Sequence, residues 1–503
     1  MPMLTGNQTG TAQNDLFLGN FEDFGVAVDA SESGILNAVI STFDGDDTVS
    51  GTATLEPSAA NLTLEATGIA SSTINTGSGN DTVLGRGTTA QFVLPFTDPR
   101  NSPTSGNVTG NGLVDSSVYT GSGDDTLTFI GDISDPLGRG RFFGAKNSVV
   151  NSGAGSDTIT AEGTTGIFST RLFSGSQQDA IAIVGEGNGG QAIAAEQSTI
   201  NSGSGDDAIT LSASGSGFAI AIRDTRVLGG DGNDVIDIIS SAGPISARGL
   251  PSSRGSAADE NSVINGGLGD DLITISSSVA ASGGASGSAL QDSKAIGGAG
   301  NDTIRISLDA GGFGVADASA VRASIVNGGD GDDIIELGGF GTGSGVGISA
   351  AEDSTIVGGA GNDTLTFKIG GTTASAQTSV AIANSRVIGG IGDDRFIVEV
   401  AEFEAAGDRQ SSVDIRDAVL AGGDGNDIFD VGTGSGRLIG GEGDDLAIIN
   451  YFDTETMQVR AIANGIRIAS TTDSWNQTLV GIETFQIDEV FYSAEELVAE
   501  FSS

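Results

Sequence analysis

The chain has 503 residues, of which 81 are glycine and none is histidine or cysteine. It carries 66 acidic side chains against 21 Lys and Arg, which gives a formal net charge of −45 at pH 7. Without His or Cys the chain cannot form a Ser-His-Asp or Cys-His nucleophile system, a zinc knot or a disulfide framework. The charge disfavours nucleic acid and anionic membranes, and it favours divalent cations or basic partners.

The N-terminal stretch, residues 1–35, precedes the first repeat and contains several Leu and Phe side chains, so we expect it to be a cap. It has neither a basic n-region nor an apolar h-region, and the whole chain has no run of 18 apolar residues. We therefore expect no cleaved N-terminal secretion signal and no membrane span.

Residues 36–450 carry a repeated hexapeptide whose strict form is G-G-x-G-[ND]-D. The first Gly and last Asp of the eight strict copies are Gly229 and Asp234, Gly266 and Asp271, Gly297 and Asp302, Gly328 and Asp333, Gly358 and Asp363, Gly389 and Asp394, Gly422 and Asp427, and Gly440 and Asp445. Five earlier copies have Thr or Ser in the first position and end at Asp47, Asp81, Asp125, Asp157 and Asp207. A decayed copy ends at Asp179. Most copies are about 31 residues apart, which indicates one motif per coil of a repeat architecture.

The residues around each motif predict strands. An alternating apolar segment such as 303–306 follows the motif, and an aliphatic residue such as Ile264 or Val326 stands two positions before it. Slightly earlier lies Asp or Asn followed by Ser or Thr, as in Asp292-Ser293, which favours a hydrogen-bonded turn over a second row of metal sites. The predicted fold is all-β: a right-handed parallel β-solenoid (β-helix or β-roll) of about 14 coils with about 31 residues per coil, capped at both ends.

Two segments and the C-terminus depart from this pattern. Residues 87–113 and 132–146 are longer than the spacing requires and are interpreted as loops that leave the coil. Beyond residue 450 the repeat stops and aromatic residues accumulate, including Tyr451, Phe452 and Trp475. Ser493 and Glu496 have the spacing of a helix capping box, so residues 451–503 are expected to form a C-terminal cap that ends in a short helix.

The motif indicates calcium. Its glycines, at positions one, two and four, permit positive φ and bring carbonyl oxygens together, while the last Asp adds a carboxylate. Ca²⁺ takes six to eight oxygen ligands, so we expect sites between adjacent coils, whereas Mg²⁺ fits less well and soft metals find no ligand. Metal-free turns are the alternative, but stacked carboxylates would then repel one another. The predicted metal ligands are the first Gly and last Asp of each strict copy, with Asp47, Asp81, Asp125, Asp157, Asp207, Asp231, Asp330 and Asp424.

The motif G-G-x-G-x-D followed by an alternating strand resembles the RTX, or hemolysin-type calcium-binding, repeat family. The resemblance covers roughly residues 40–450 and implies calcium bound by the last Asp and by loop carbonyls, folding outside the cell, and type I secretion read from an uncleaved C-terminus. In that family the nonapeptides usually occur in tandem, with two of them in each coil of 18 residues. Here only Asp427 and Asp445 are 18 residues apart. We expect the firmest calcium binding in the strict C-terminal copies.

Three classes of function are open. The favoured one is a secreted structural protein of the cell surface or matrix, because the chain is repeat and caps throughout and resembles the oscillin-like RTX proteins of cyanobacterial surface layers. Such a protein would bind calcium and self-associate into filaments or layers. The second is a calcium-dependent adhesin, or an ice- or polysaccharide-binding solenoid. The third, a polysaccharide-active enzyme, is less favoured because acidic residues recur in every coil and none form a distinct catalytic pair. The chain is predicted not to be an enzyme.

Overall fold

The computed structural model describes residues 3–26, 30–57, 63–90, 108–134, 141–187, 191–243, 254–281, 285–312, 315–343, 347–373, 379–401, 413–432, 434–449, 456–471 and 475–502. About 74% of it is strand and 2% is helix. The chain divides into two compact units, a first unit Met1–Ser241 and a second unit Ala242–Ser503. Across the described residues, no helix combines the length and apolar character that crossing a membrane requires.

The first unit contains short strands at regular intervals. They are β1 (Leu4–Thr9), β2 (Leu16–Val26), β3 (Ala30–Ser41), β4 (Thr48–Pro57), β5 (Leu64–Ala70), β6 (Thr73–Asn75), β7 (Thr82–Ala90), β8 (Val108–Val114), β9 (Ser117–Ser122), β10 (Thr126–Ser134), β11 (Phe143–Lys146), β12 (Val149–Ala154), β13 (Thr158–Gly163), β14 (Thr165–Phe168), β15 (Arg171–Ser176), β16 (Ala180–Gly187), β17 (Gln191–Glu196), β18 (Thr199–Ser204), β19 (Ala208–Ser216), β20 (Phe218–Arg223) and β21 (Arg226–Asp231). The division between the units falls within β22 (Val235–Gly243).

The second unit continues the same succession of elements. They are β23 (Arg254–Asp259), β24 (Val263–Leu268), β25 (Leu272–Ala281), β26 (Ala285–Gln291), β27 (Lys294–Ala299), β28 (Thr303–Gly312), β29 (Val315–Arg322), β30 (Ile325–Asp330), β31 (Ile334–Gly343), β32 (Ile348–Glu352), β33 (Thr355–Ala360), β34 (Thr364–Thr373), β35 (Val380–Ala383), β36 (Arg386–Ile391), β37 (Arg395–Val400), β38 (Val413–Asp424), β39 (Ile428–Val431), β40 (Gly434–Glu442), β41 (Leu446–Ile449), β42 (Met457–Ile462), β43 (Gly465–Ser470), β44 (Asn476–Val480), β45 (Thr484–Ile487), β46 (Val490–Ser493) and the helix α1 (Ala494–Phe501).

Within each unit the strands of successive coils pair in parallel and in register. In the second unit, Ile304 of β28 lies opposite Ile335 of β31, which lies opposite Leu365 of β34. All three side chains are fully buried, because every second residue of such a strand points into the coil. The predicted parallel β-solenoid is confirmed, with about 11 turns of about 31 residues. The count of about 14 coils predicted from the sequence is larger than this number of turns.

The predicted aliphatic row and the predicted turn are also confirmed. Ile264 and Val326, two positions before their motifs, are fully buried. At the turn, Asp292 has a φ of 47°, a left-handed conformation that Asp and Asn tolerate better than most residues. The next residue, Ser293, donates its hydroxyl to the carbonyl of Gln291 (2.7 Å), and its N–H donates to the hydroxyl of Ser324 one coil later (3.1 Å).

The two ends of the chain differ from each other. Residues of the predicted N-terminal cap form β1 and β2, which pair in parallel with β3 and β4 as the coils do. At the C-terminal end β43 pairs antiparallel with both β42 and β44, and β45 is antiparallel to β46. The predicted capping box of α1 is present, with Ser493 and Glu496 in reciprocal hydrogen bonds, and Leu497 buries its side chain completely. The boundaries 1–35, 36–450 and 451–503 stay predictions.

Both predicted loops are shorter where the structure describes them. β7 continues to Ala90 and β8 begins at Val108, so the described parts of 87–113 belong largely to strands. The described parts of 132–146 likewise include the end of β10 and the whole of β11. Residues 91–107 and 135–140, as well as Tyr451 and Phe452 of the predicted cap, lie outside the described residues.

Candidate metal site

The last Asp of each motif belongs to a buried row, here called the acidic row. Its members are Asp47, Asp81, Asp125, Asp157, Asp179, Asp207 and Asp234 in the first unit, and Asp271, Asp302, Asp333, Asp363, Asp394, Asp427 and Asp445 in the second. Each is at most 2% exposed. Within a unit, the N–H of one Asp donates to Oδ1 of the equivalent Asp in the next coil, as from Asp81 to Asp125 (2.8 Å) and from Asp333 to Asp363 (2.9 Å).

The second carboxylate oxygen, Oδ2, is buried without a hydrogen bond in most of the row. This holds for Asp47, Asp81, Asp125, Asp157, Asp179, Asp207, Asp302, Asp333, Asp363, Asp394, Asp427 and Asp445. A buried polar atom without a partner costs about 1–3 kcal/mol, and more if it is charged. The same cost in coil after coil indicates that the row meets a positive charge, a proton or another donor in the functional protein.

Burial shifts the acid-base equilibrium of these groups. It raises the pKa of Asp302, Asp333 and Asp394 to about 7 and that of Asp363 to about 6. For Asp333, the backbone N–H of Asp302 lowers the pKa again, and the nearby carboxylate of Asp363 raises it further. These carboxylates therefore hold their charge near neutral pH only weakly unless a cation compensates for the lost hydration.

A second row helps to explain the first. The residue before each acidic-row Asp forms a second row, here called the outer row. In the second unit it is exposed and its acidic and neutral residues alternate: Asp270, Asn301, Asp332, Asn362, Asp393, Asn426 and Asp444. Its hydrogen bonds run in the opposite direction, because the N–H of the later coil donates to the side chain of the earlier one, as from Asn362 to Asp332 (2.7 Å) and from Asp393 to Asn362 (2.8 Å).

The outer row shows that an amide oxygen is a sufficient acceptor for such an N–H. In the second unit the acidic row nevertheless uses Asp in every copy, although an Asn there could accept the same hydrogen bond with its carbonyl oxygen. What Asn could not supply is a second acceptor oxygen and a negative charge. We conclude that Oδ2 has a role of its own in these coils.

The first glycine of each strict motif opens a space beside Oδ2. A Cβ on Gly297 would clash with Oδ2 of Asp302 and lie 2.5 Å from the carbonyl oxygen of Gly328, in the next coil. A Cβ on Gly328 would likewise clash with Oδ2 of Asp333 and lie 2.6 Å from the carbonyl oxygen of Gly358. A carboxylate oxygen and a carbonyl oxygen from adjacent coils thus converge on one space. Both are ligands that Ca²⁺ prefers, so the residues present fit this ion.

The comparison with known families agrees with this donor set. The family model of the RTX calcium-binding nonapeptide repeat matches in four copies, residues 68–87, 293–305, 323–340 and 349–371. The chain carries RTX calcium-binding repeats. The matched segments contain Asp81, Asp302, Asp333 and Asp363 of the acidic row. No characterised protein matches the chain over its sequence.

The structure corrects one expectation about the RTX motif. The sequence suggested that the glycines at positions one, two and four all permit positive φ. Positive φ occurs at positions two and four, as in Gly329 (130°) and Gly331 (129°), but not at Gly328 in position one. The first glycine is therefore required for the space beside the carboxylate and not for its backbone torsion. The predicted preference for strict copies stays a prediction, with this different physical basis.

The predicted ligands at position three lie apart from the acidic row. Asp231, Asp330 and Asp424 have exposed side chains, whereas the last Asp of each of their motifs is buried. Their backbone carbonyls accept hydrogen bonds from the position-four residue of the preceding coil, as Asp330 does from Gly300 (2.8 Å). Among the described residues, no three acidic side chains are grouped as a metal cluster. The metal ligands that the sequence predicts all stay predictions.

The acidic row extends beyond the motifs that sequence reasoning recognised. Asp15 donates its N–H to Oδ1 of Asp47 (2.7 Å), and Asp179 of the decayed copy keeps both of its row contacts, to Asp157 and Asp207. At the other end, Glu483 accepts from the N–H of Asp445 (2.9 Å). Asp15 ends the sequence G-T-A-Q-N-D, which shares only the first Gly and the final Asn-Asp with the motif, and these features were the available signal.

Proposed function

We propose that the chain is a secreted calcium-binding structural protein of the cell surface or extracellular matrix, which folds when it binds calcium outside the cell. The RTX repeats make it a calcium-binding repeat protein; secretion and a matrix role are our proposal. The observation that carries it is the row of buried Oδ2 atoms in the second unit, which lie beside the position-one glycines and which at Gly297 and Gly328 share the space with a carbonyl oxygen of the next coil.

Calcium would act on folding through these oxygens. An ion between two coils neutralises a buried carboxylate and joins ligands of both coils, and such a site does not exist in the unfolded chain. Its binding free energy is therefore folding free energy. The net charge of −45 acts in the same direction, because bound cations reduce the repulsion that a compact acidic chain must overcome.

The structural role is supported by how the described residues are used. Strands, buried rows and turns all serve the stacking of coils, and the C-terminal strands and helix form a different, antiparallel arrangement. The exposed carboxylates at position three and in the outer row, such as Asp330 and Asp332, would repel those of a neighbouring molecule. Lateral association should therefore require calcium bridges or basic partners.

The test is a calcium titration of the full chain, followed by circular dichroism, sedimentation velocity and negative-stain microscopy. We expect strand signal to appear with CaCl₂ and larger assemblies to form at higher calcium, both reversed by EGTA. MgCl₂ at equal ionic strength is the control for charge screening. A strand spectrum that EGTA leaves unchanged contradicts calcium-driven folding. A chain that folds with calcium but stays monomeric at high concentration contradicts the structural role and favours an adhesin or a polysaccharide-active protein.

A further inference from the structure

We infer that Ser and Thr hydroxyls take the place of calcium in the first-unit motifs that end at Asp47, Asp81, Asp125, Asp157, Asp179 and Asp207, so that these coils stack without metal and calcium is confined to the motifs with glycine at position one, from Gly229 onward. This inference rests on the proposed calcium-binding function and divides the chain into a metal-independent and a metal-dependent region.

A hydroxyl row lies at position one of the first unit. Its members are Thr42, Thr76, Thr120, Ser152, Ser174 and Ser202, and each donates to the position-one carbonyl of the next coil: Thr42 to Thr76, Thr76 to Thr120 (3.2 Å), Thr120 to Ser152 (2.9 Å), Ser152 to Ser174 (2.9 Å), Ser174 to Ser202 (2.9 Å) and Ser202 to Gly229 (2.6 Å). All six residues are buried, with at most 4% of each exposed to solvent. The row is therefore a continuous buried hydrogen-bonded feature.

The hydroxyls occupy the space that the second unit leaves open. In the second unit the position-one carbonyl of the next coil, for example that of Gly328, faces the side of Gly297 where a side chain would begin. In the first unit the equivalent carbonyl, for example that of Ser174, receives the hydroxyl of Ser152 from that side. A side chain that fills this space leaves no room for an ion in it.

The same hydroxyls also lie against the carboxylates of their own coils. Thr120 contacts the carboxylate of Asp125, and Ser152 contacts that of Asp157. Each hydroxyl has a single proton, which it donates to the carbonyl of the next coil, so Thr120 and Ser152 lie beside these carboxylates without satisfying Oδ2. In the second unit the position-one carbonyl and Oδ2 both remain, as at Gly328 and Asp302, but no hydroxyl occupies the space between them. A cation in that space would contact both oxygens, whereas in the first unit the hydroxyl fills the space and already uses the carbonyl.

The test uses the full chain and two complementary variants. Gly328→Ser places a hydroxyl in the second unit, and Ser152→Gly removes one from the first. Gly338→Ser is the matched control, because a Cβ at Gly338 of β31 meets no atom closer than 3.7 Å. Bound calcium is counted by equilibrium dialysis against CaCl₂ and atomic emission. Backbone protection is followed by hydrogen exchange and mass spectrometry in CaCl₂ and in EGTA.

We expect Gly328→Ser to lose on the order of one or two ions, since the space borders two coils, Ser152→Gly to gain ions, and Gly338→Ser to keep the wild-type count. In EGTA, amides such as that of Asp157 should stay protected, whereas that of Asp333 should lose at least about tenfold in protection, as a stability loss of about 1.4 kcal/mol would give.

The outcomes separate the two proposals. If no calcium binds to the wild type, the proposed function fails and this inference fails with it. If calcium binds but neither variant changes the count, or if EGTA removes protection equally from both units, only the inference is overturned. If Gly328→Ser fails to reach the strand content of the wild type in CaCl₂, two measurements still test the inference. The number of calcium ions bound by Ser152→Gly and the hydrogen exchange of the wild type can each contradict it alone.

Discussion

Thr120 and Gly328 stand at the same position of the repeat, one in each unit, and their surroundings differ in one respect. Nearly all motifs of both units place glycine at positions two and four, where φ is positive, as at Gly121 and Gly329. In the first unit most motifs place Ser or Thr at position one, whereas every motif of the second unit places glycine there, as at Gly328, where φ is not positive and the space beside the carboxylate is left open. The comparison teaches that glycine has two separate roles in this motif, one in the backbone of the turn and the other in making room for a ligand.

Removal of calcium should have the largest effect. In EGTA the second unit is left with buried carboxylates that have no compensating charge, so we expect most of its strand signal and most of its protection from limited proteolysis to be lost. The first unit should yield the longest resistant fragments. Proteolysis followed by mass spectrometry measures this difference directly. Resistant fragments drawn equally from both units would remove the distinction between them.

In the calcium-free chain, protonation of the acidic row should stabilise the folded state, so stability should depend on pH. Asp302, Asp333 and Asp394 have a folded pKa of about 7 against the ordinary 3.8, so between these values the folded state binds more protons than the unfolded state. Stability in EGTA should therefore be highest near pH 4 and fall as the pH rises to about 7.

Thermal melts from pH 4 to 8 in EGTA check this expectation, with melts in CaCl₂ as the control. In calcium the trend should reverse, since protons displace the ion at low pH. A melting temperature that rises with pH in EGTA would show that these carboxylates are already compensated without calcium.

Substitutions at two neighbouring residues should distinguish the role of the acidic row from that of the outer row. Asp333→Asn keeps an acceptor for the N–H of Asp302 but removes the charge beside Gly328, so it should destabilise the calcium-bound chain by about 1–3 kcal/mol. Asp332→Asn changes an exposed residue whose row already contains Asn, and it should change stability by less than about 0.5 kcal/mol.

Chemical denaturation in CaCl₂ compares the two variants under identical conditions, since both remove one negative charge. Equal losses of stability would show that the buried and exposed carboxylates have the same role.

The smallest effect is expected for a single hydroxyl of the first unit. Ser152→Ala removes the hydrogen bond to the carbonyl of Ser174 and should cost about 0.5–1.5 kcal/mol. The loss should be the same in CaCl₂ and in EGTA, because no ion lies at this position in our proposal. Denaturation curves in both buffers measure it. A loss that appears only in CaCl₂ would place calcium in the first unit as well.

Local patterns made much of the fold predictable. The alternation around Ile304, the aliphatic row that includes Val326 and the capping box of Ser493 each depend on residues close together in sequence. The role of the first glycine was misjudged because it depends on a carboxylate and on a carbonyl of the next coil, which one motif cannot reveal. Glu483 was missed because its segment has no repeated glycines. Only its hydrogen bond with the N–H of Asp445 in the folded chain identifies it as a member of the row.

The spacing between coils has a consequence for inserting new sequence. The N–H of Asp427 reaches Asp445 across 18 residues at 2.9 Å, and that of Asp81 reaches Asp125 across 44 residues at 2.8 Å. The contact is the same although the intervening chain more than doubles in length. Because the entropy of closing a loop grows only slowly with its length, a foreign peptide placed between β7 and β8 should be displayed without disturbing the stack, and such a site would suit the chain for use as a carrier.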